Sequence, residues 1–323
     1  MGIRHPKKLA FELYHFEPET FNFEPEVLEA MSGGYDVHCH TMPDTKYRSV
    51  DEMELVHDMD ALGMAAAVSK MSNGDTCGRA QVVNYYSNGK AKILGSMCLC
   101  HALGGLNPAA VLESAKMGLK LLWMPVKDAA FHQKYMTSPE KQTEGLYILD
   151  GFGNLKPEVL EILKILKTYN IALATGHMSP REIETVTVIA LQMGINVIIT
   201  HAENLIGSPV MSDEYRLQME TIKKLTELGA YAEVLCPYQF HRLTSEGMLP
   251  DIEHPMVPAS ETAAWIREIG IEHVVLGTDG GCVTDSYKCE YYTYIKHLME
   301  NGFSKDEIQV MIRYNPEKIF NIE

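Results

Sequence analysis

The stretch "IALATGHMSPREIETVTVIALQMGINVIITHAEN", residues 171–204, contains two apolar runs separated by a segment with helical signals. The first run ends at His177 and the second at His201, and each has the continuous apolar character of a strand that is buried on both faces. Between them, Ser179 followed by proline marks a helix start, and Gly194 marks its end. The stretch therefore predicts strand, helix and strand in succession, the unit from which parallel sheets are built.

The same alternation extends over most of the chain. The predicted strands cover residues 35–40, 65–71, 91–99, 119–125, 171–177, 196–203, 230–236 and 273–279. Eight strands that alternate with helices predict a (β/α)8 TIM barrel, an α/β fold, over residues 35–323. A doubly wound open sheet is the alternative, but "HCHTMP" after the first strand is not the glycine-rich fingerprint that such a sheet would carry there.

Two segments do not fit the simple repeat. Residues 1–34 are rich in Phe, Glu and Pro, and we expect an N-terminal extension that packs on the barrel or on a neighbouring subunit, so a homo-oligomer is left open. Residues 128–155 enlarge the loop after the fourth strand, and "GLYILDGFGNLKP" within them predicts a hairpin around Asp150 and Gly151. Loops that follow strands form the active-site face of a barrel, so this loop is a candidate wall or lid.

Composition narrows the classes of partner. The net charge of -15 over 323 residues repels nucleic acid and anionic membranes, so we expect neither as a partner, and we expect a small-molecule substrate. The longest apolar runs fall far short of the roughly 20 residues that cross a membrane, and the N-terminus lacks the apolar core of a signal peptide. Seven scattered cysteines indicate reduced thiols, so a cytoplasmic location is expected.

Polar side chains stand at the carboxyl ends of four predicted strands. His38 and His40 occupy alternate positions of the first strand and therefore face the same side. His177 and His201 end the fifth and sixth strands, and Asp279 ends the eighth. The carboxyl ends of parallel barrel strands lie on one rim, so these five side chains are expected to meet there. Four histidines and one aspartate suit Zn²⁺ or a similar divalent ion such as Mn²⁺ or Fe²⁺.

This arrangement resembles the amidohydrolase superfamily of metal-dependent (β/α)8 enzymes. That family has His-X-His after strand one, a His after strand five, a His after strand six and an Asp after strand eight. The matching residues of this chain, in that order, are His38, His40, His177, His201 and Asp279. The closing segment "YNPEKIF" resembles the family's Asn-Pro-x-x-hydrophobic helix. Three further segments, "GGLNPAAV", "WMP" and "ATGHMSP", look most similar to an uncharacterised amidohydrolase-like branch.

The fourth strand departs from the pattern of many two-metal members. Those members use a carboxylated lysine or a glutamate there to bridge the two ions. Here the strand ends in "LLWMPVKDA", with Trp123 and Met124 near the expected level, Lys127 in the loop beyond and Lys120 near the strand's start. The resemblance therefore favours one ion, as in deaminase-like and decarboxylase-like branches, with a second ion left open.

The resemblance implies a metal-dependent hydrolase. Such an enzyme activates water to cleave a C–N or C–O bond in an amide, cyclic amide, ester or lactone, or to deaminate a small molecule. His38, His40, His177 and Asp279 would hold the ion, and Asp279 would also carry a proton to the leaving group. His201 would stabilise the developing negative charge or bind a second ion.

Five further residues are candidates for substrate binding. Lys70 ends the second strand, Arg79 lies in the loop after it, and His101 follows the third strand. Lys70 and Arg79 could bind a carboxylate or phosphate, or pair with an acidic residue of the protein. Glu203 and Asn204 could contact the substrate or orient the preceding histidine by hydrogen bonds.

Three alternative functions remain. A metal-dependent decarboxylase or other lyase could use the same scaffold. A histidinol-phosphatase-like phosphoesterase is disfavoured, because it would carry Asp-X-His near the last strand and this chain has Asp279, Gly280 and Gly281. These glycines either make a turn or let the backbone approach a substrate closely. A barrel that binds metal for stability alone would have a closed coordination sphere.

Overall fold

The computed structural model describes residues 22–46, 48–202, 217–236, 257–281 and 287–322, together with the backbone of residues 242–244 and 247–249. Two of the candidate site residues, Glu203 and Asn204, therefore lie outside the described residues.

The described strands follow the predicted order. They are β1 Tyr35–His40, β2 Ala66–Lys70, β3 Lys92–Leu94, β4 Ser96–Cys98, β5 Leu121–Trp123, β6 Ala172–Ala174, β7 Val197–Ile199, β8 Tyr231–Leu235, β9 Arg242–Thr244, β10 Gly247–Leu249 and β11 Val274–Gly277. The pair β9 and β10 is antiparallel, and the other ladders are parallel. The predicted third strand is formed by β3 and β4 in succession, one on each side of Gly95.

The parallel strands close into a barrel. Hydrogen bonds link β1, β2 and β3 in one run and β4, β5, β6, β7, β8 and β11 in another. The last strand then meets the first, because the Asp279 amide donates to the His38 carbonyl at 2.7 Å and the His40 amide donates to the Gly280 carbonyl at 3.0 Å. The predicted (β/α)8 fold is confirmed, and the open-sheet alternative is wrong because its two edges would not meet.

Helices cover the outside of the barrel. They are α1 Pro25–Met31, α2 Glu52–Ala61, α3 Cys77–Tyr86, α4 Pro108–Lys116, α5 Ala130–Met136, α6 Pro157–Tyr169, α7 Pro180–Gln192, α8 Met219–Glu227, α9 Ala259–Ile269, α10 Tyr287–Glu300, α11 Lys305–Gln309 and α12 Asn315–Phe320. The predicted start of α7 is confirmed, because Ser179 and Glu182 form a reciprocal capping box. Within the described ranges, none of the helices has both the length and the apolar character of a membrane span.

A bulge in β1 sets the direction of its histidines. Asp36 pairs with Ala67, but Cys39 pairs with Ser69, so three steps along β1 match two along β2. Before the bulge Val37 packs inside the barrel, and after it Cys39 packs outward under the helices. The extra residue restarts the alternation and turns His38 and His40 inward, as bulges beside active sites commonly do.

The enlarged loop after β5 contains α5 and a tight turn. The Asp150 carboxylate accepts hydrogen bonds from the amides of Phe152 at 2.8 Å and Asn154 at 2.9 Å. A single antiparallel bridge joins Leu149 to Leu155. The segment predicted as a hairpin is therefore a short turn, because the Asp150 side chain caps it locally before two strands can pair.

The described part of the N-terminal extension lies against the last helices. The Glu24 amide donates to the Tyr292 hydroxyl at 2.8 Å. The Gln309 side chain donates to the carbonyls of Ala30 and Ser32 at 2.6 and 2.8 Å. The division of the chain at residue 34 stays a prediction, since residues 1–21 lie outside the described ranges.

Asn315 in the "YNPEKIF" segment ties the C-terminal helix to the barrel. Its buried side chain donates to the carbonyls of Ile271 at 2.9 Å and Val274 at 2.7 Å, at the start of β11. The last helix thereby fixes the entry into the strand that carries Asp279.

We expect Asn315→Ala to lower the free energy of unfolding by about 2–4 kcal/mol, because two carbonyls lose their donor and one of them is deeply buried. Urea denaturation of the variant and of Asn88→Ala, which removes an exposed amide from the loop before β3, measures the difference. Equal stability of the two variants would show that these bonds contribute nothing.

Candidate metal centre

Two histidines of β1 and the aspartate after β11 meet at the carboxyl end of the barrel. His38 Nε2 lies 2.9 Å from Asp279 Oδ1, and His40 Nε2 lies 3.1 Å from the same oxygen. Both histidines are buried. Their ligand atoms and the carboxylate oxygen lie within 4.8 Å of one another, the spacing of atoms that can share an ion.

Glu233 joins this group from β8, at a position that the sequence did not identify. Its Oε1 lies 3.0 Å from His38 Nδ1, and its Oε2 accepts the His201 amide at 2.9 Å. A buried glutamate inside the apolar run "AYAEVLC" is the signal that could have revealed it. His38, His201 and Glu233 form a second set of converging donors.

His201 lies beside the centre, and His177 lies at its edge. His201 Nε2 is 3.8 Å from Asp279 Oδ2, and the rings of His201 and His177 are 4.9 Å apart. His177 Nδ1 is 2.8 Å from Nδ1 of His132, a residue of the enlarged loop that the sequence did not single out. Among the described residues, His177 belongs to neither converging set, so its role as a ligand stays a prediction.

Lys70 lies inside the centre. Its side chain is buried, and its Nζ is 2.8 Å from His38 Nε2 and 3.8 Å from the centroid of the Trp123 ring. The Trp123 ring is itself 4.6 Å from the His38 ring. The Trp123 indole therefore lies against His38 and Lys70 at the end of β5.

The other candidates hold loops in place. Arg79 Nε lies 2.7 Å from the Glu52 carboxylate, and its Nη2 donates to the Thr41 hydroxyl at 2.9 Å. His101 is exposed, and its amide donates to Asp128 at 2.7 Å within the enlarged loop. The substrate-binding roles expected for Arg79 and His101 stay predictions, as do those of Glu203 and Asn204, whose positions are outside the described ranges.

The charges of the site suit a cation. Burial opposes ionisation of Asp279, but His38 and His40 lower its pKa well below its usual value. Burial lowers the pKa of His40 to about 3 and that of His201 to about 4, so these rings are neutral near pH 7. Burial and Lys70 also lower the pKa of His38, but Asp279 and Glu233 raise it more. A ring between two carboxylates therefore favours positive charge, whether from a proton or a metal ion.

The backbone around the site is strained. His201 has φ of +52° and Asp279 has φ of +47°, both in the left-handed region that side chains disfavour. Gly281 follows with φ of +81°, and a Cβ there would overlap the His40 carbonyl oxygen. The glycines after Asp279 thus make a turn that packs tightly on β1. Such strain persists where the surrounding structure enforces it, often at functional sites.

The donor set fits a divalent transition ion. Two imidazole nitrogens and one carboxylate oxygen converge, and the ring held by Glu233 shows the carboxylate support that is typical of metal-ligating histidines. The neutral His40 ring and the ionised Asp279 carboxylate are in the protonation states that metal binding requires, and an ion at His38 would replace the proton that its two carboxylate neighbours favour.

The structure is a (β/α)8 barrel in which histidine and aspartate side chains converge at the carboxyl ends of the strands. Residues 33–233 match the family model described as "Family of unknown function (DUF6282)", and the chain belongs to that family. No curated protein matches the chain in sequence.

Solved structures share the fold over nearly the whole chain. An amidohydrolase from Pseudomonas aeruginosa superposes with a TM-score of 0.59 at 15% identity, covering 92% of this chain and 98% of that one. A probable 2-pyrone-4,6-dicarboxylic acid hydrolase from Acinetobacter baumannii with citric acid bound gives 0.57 at 13%, covering 90% and 100%. An amidohydrolase from Burkholderia multivorans with bound Zn gives 0.54 at 11%, covering 90% and 99%. These similarities confirm the expected amidohydrolase fold.

We expect Glu233→Gln to weaken Zn²⁺ binding by about 10- to 100-fold, because the His38 ring loses its carboxylate partner. Competition with a chelator measures the affinity. The control is Glu220→Gln, which removes a carboxylate from an exposed position of α8. Equal affinity of the two variants would contradict a role for Glu233 in the metal centre.

Proposed function

We propose that the protein is a metal-dependent hydrolase that uses water to cleave a C–N or C–O bond in a small molecule. The observation that carries the proposal is the convergence of His38, His40 and Asp279 at the carboxyl end of the barrel. This is the face where barrel enzymes place their chemistry. Zn²⁺-loaded protein screened against amides, cyclic amides, esters and lactones tests it. Failure to hydrolyse any of these classes would count against the proposal.

The proposed cofactor is one Zn²⁺ ion, with Mn²⁺ or Fe²⁺ as substitutes. His38, His40 and Asp279 would hold it, and His177 or His201 would complete the set. When bound, the ion supplies a Lewis acid that lowers the pKa of water and polarises a carbonyl. Glu233 fixes the His38 ring from its far side at 3.0 Å, so that Nε2 faces the donors of β1 and β11.

Asp279 is the proposed proton carrier. One of its oxygens contacts His38 and His40, while the other faces His201 at 3.8 Å. The ionised carboxylate can accept a proton from water through this second oxygen and pass it to the leaving group.

His201 is the proposed donor to developing negative charge. Its ring is neutral because burial holds its pKa to about 4, so it has one N–H to donate. Its position is fixed by the hydrogen bond from its amide to Glu233 at 2.9 Å. A donor placed in advance stabilises a transition state at little cost in rearrangement.

A metal-dependent decarboxylase is the second candidate. The buried Lys70 amine lies 2.8 Å from His38 Nε2, within reach of a carboxylate bound at the centre. Detection of CO2 among the products separates this reaction from hydrolysis. We keep the cytoplasm as the proposed location, in line with the free, buried thiols of the described cysteines.

We expect the purified protein to carry about one equivalent of Zn²⁺, Mn²⁺ or Fe²⁺, as befits a single catalytic site. Elemental analysis before and after dialysis against a chelator measures the content. Turnover should disappear with the ion and return when it is added back. Protein that takes up none of these ions would refute the metal centre.

We expect His201→Asn to keep most of the metal and to lose rate by about 10²–10³, the effect of removing one transition-state donor. Asp279→Asn should abolish turnover even where metal remains, because the amide cannot accept the proton. Metal content and turnover are measured on the same preparations, with His177→Asn alongside. Loss of metal from His201→Asn as severe as from His177→Asn would make His201 a ligand instead.

A further inference from the structure

Lys70 differs from the other cationic side chains beside the first strand. Arg48 pairs with the Asp44 carboxylate at 2.7 Å, and Arg79 pairs with Glu52 at 2.7 Å. The Lys70 side chain is buried, with 1% of the residue exposed. Among the described residues, its ammonium forms no ion pair with a carboxylate. A buried charge is costly without partners, so the groups that do contact this amine decide what it is for.

Two groups contact the Lys70 amine. Its Nζ lies 2.8 Å from His38 Nε2 and 3.8 Å from the centroid of the Trp123 ring. An ammonium can only donate hydrogen bonds, so it needs the lone pair of Nε2. The face of the indole attracts the same charge through a cation–π interaction. Lys70 therefore uses the atom of His38 that faces the other metal donors.

The same nitrogen has a second neighbour. Asp279 Oδ1 lies 2.9 Å from His38 Nε2, and an ionised carboxylate can only accept a hydrogen bond. With a proton on Nε2, the carboxylate is satisfied and the ammonium faces an N–H. Without that proton, the ammonium is satisfied and the carboxylate faces a lone pair. One imidazole nitrogen thus cannot satisfy Lys70 and Asp279 together.

A metal ion at this place would change both contacts. An ion bound to Nε2 and to Asp279 would satisfy both atoms, but it would take the lone pair that Lys70 uses. It would also set a double positive charge against the ammonium. Lys70 and the ion therefore exclude each other at His38. The indole of Trp123 offers the ammonium a partner that does not depend on His38, so the amine can withdraw from the ring and stay buried.

We propose that Lys70 competes with the metal ion for Nε2 of His38 and so sets the affinity of the centre. The proposal rests on the proposed metal centre, and it concerns how tightly an ion is held, not which bond is cleaved. The cost of withdrawing Lys70 is the same for every divalent ion. Ions that bind imidazole weakly are therefore the first to be excluded.

Competition with a chelator, on the full-length protein, tests the proposal. Methionine keeps the length of the lysine side chain and removes its charge. We expect Lys70→Met to bind Zn²⁺ about 10- to 100-fold more tightly than the wild type, because no charge-assisted hydrogen bond has to break. Its affinity for Mn²⁺ should rise by a similar factor, since the withdrawal of Lys70 is the same step for either ion.

The matched control is Lys92→Met. Lys92 is exposed at the start of β3, where it pairs with Ala66 at the opposite end of β2 from Lys70. The control should keep the Zn²⁺ affinity within about twofold, because solvent and salt screen a distant exposed charge. Lys70→Gln is a second neutral variant that should also tighten binding, and it carries the test if Lys70→Met does not fold.

The direction of the change separates competition from structural support. Tighter binding by the Lys70 variants than by Lys92→Met supports the proposal. Weaker binding would mean that Lys70 helps to hold the donors, and equal binding would mean that the amine and the ion use different atoms. Either result overturns the proposal and leaves the metal centre standing. If neither the wild type nor any Lys70 variant binds an ion, the metal centre and the competition are both rejected.

Discussion

The carboxylate of Asp279, set between His38 and His40, is the contact on which the rest of the site depends. It joins the last strand of the barrel to the first, and the adjoining backbone hydrogen bonds close the sheet at the same point. A largely buried carboxylate is costly unless cationic or hydrogen-bonding groups surround it. The fold meets this requirement with the imidazoles of His38 and His40, a side-chain type that can also bind a metal ion. The contacts that close the barrel between its last and first strands therefore also bring the donor set together.

Acidic and basic groups surround the His38 ring. Glu233 contacts Nδ1 of His38. Asp279 and Lys70 both contact Nε2 on the other side of the ring, Lys70 from the end of β2. The two carboxylates that contact the His38 ring favour a cation at the centre.

Two parts of the fold supply the residues of the site. Strand ends supply the candidate metal donors, and the ladders hold the backbone of each strand in place. The enlarged loop supplies His132 from α5, in a part of the chain where the sequence can vary without disturbing the barrel. The strain at His201 and Asp279 lies at the junction between these parts, two residues beyond the ends of β7 and β11. This division explains how one barrel architecture can serve many substrates.

The sequence by itself predicted the barrel and, among its candidate metal donors, His38, His40 and Asp279, which converge in the structure. Continuous apolar runs ending in His177, His201 and Asp279 require parallel strands, and parallel strands must bring their carboxyl ends to one rim. Tertiary structure decided the rest. Glu233 looks like any acid in a strand until the register shows that it faces His38 across the barrel. His132 lies on α5 in the enlarged loop, 45 residues before His177, and only the folded chain brings the two rings together. Alternation along a strand is a local property, whereas a contact between distant segments depends on how the whole barrel folds.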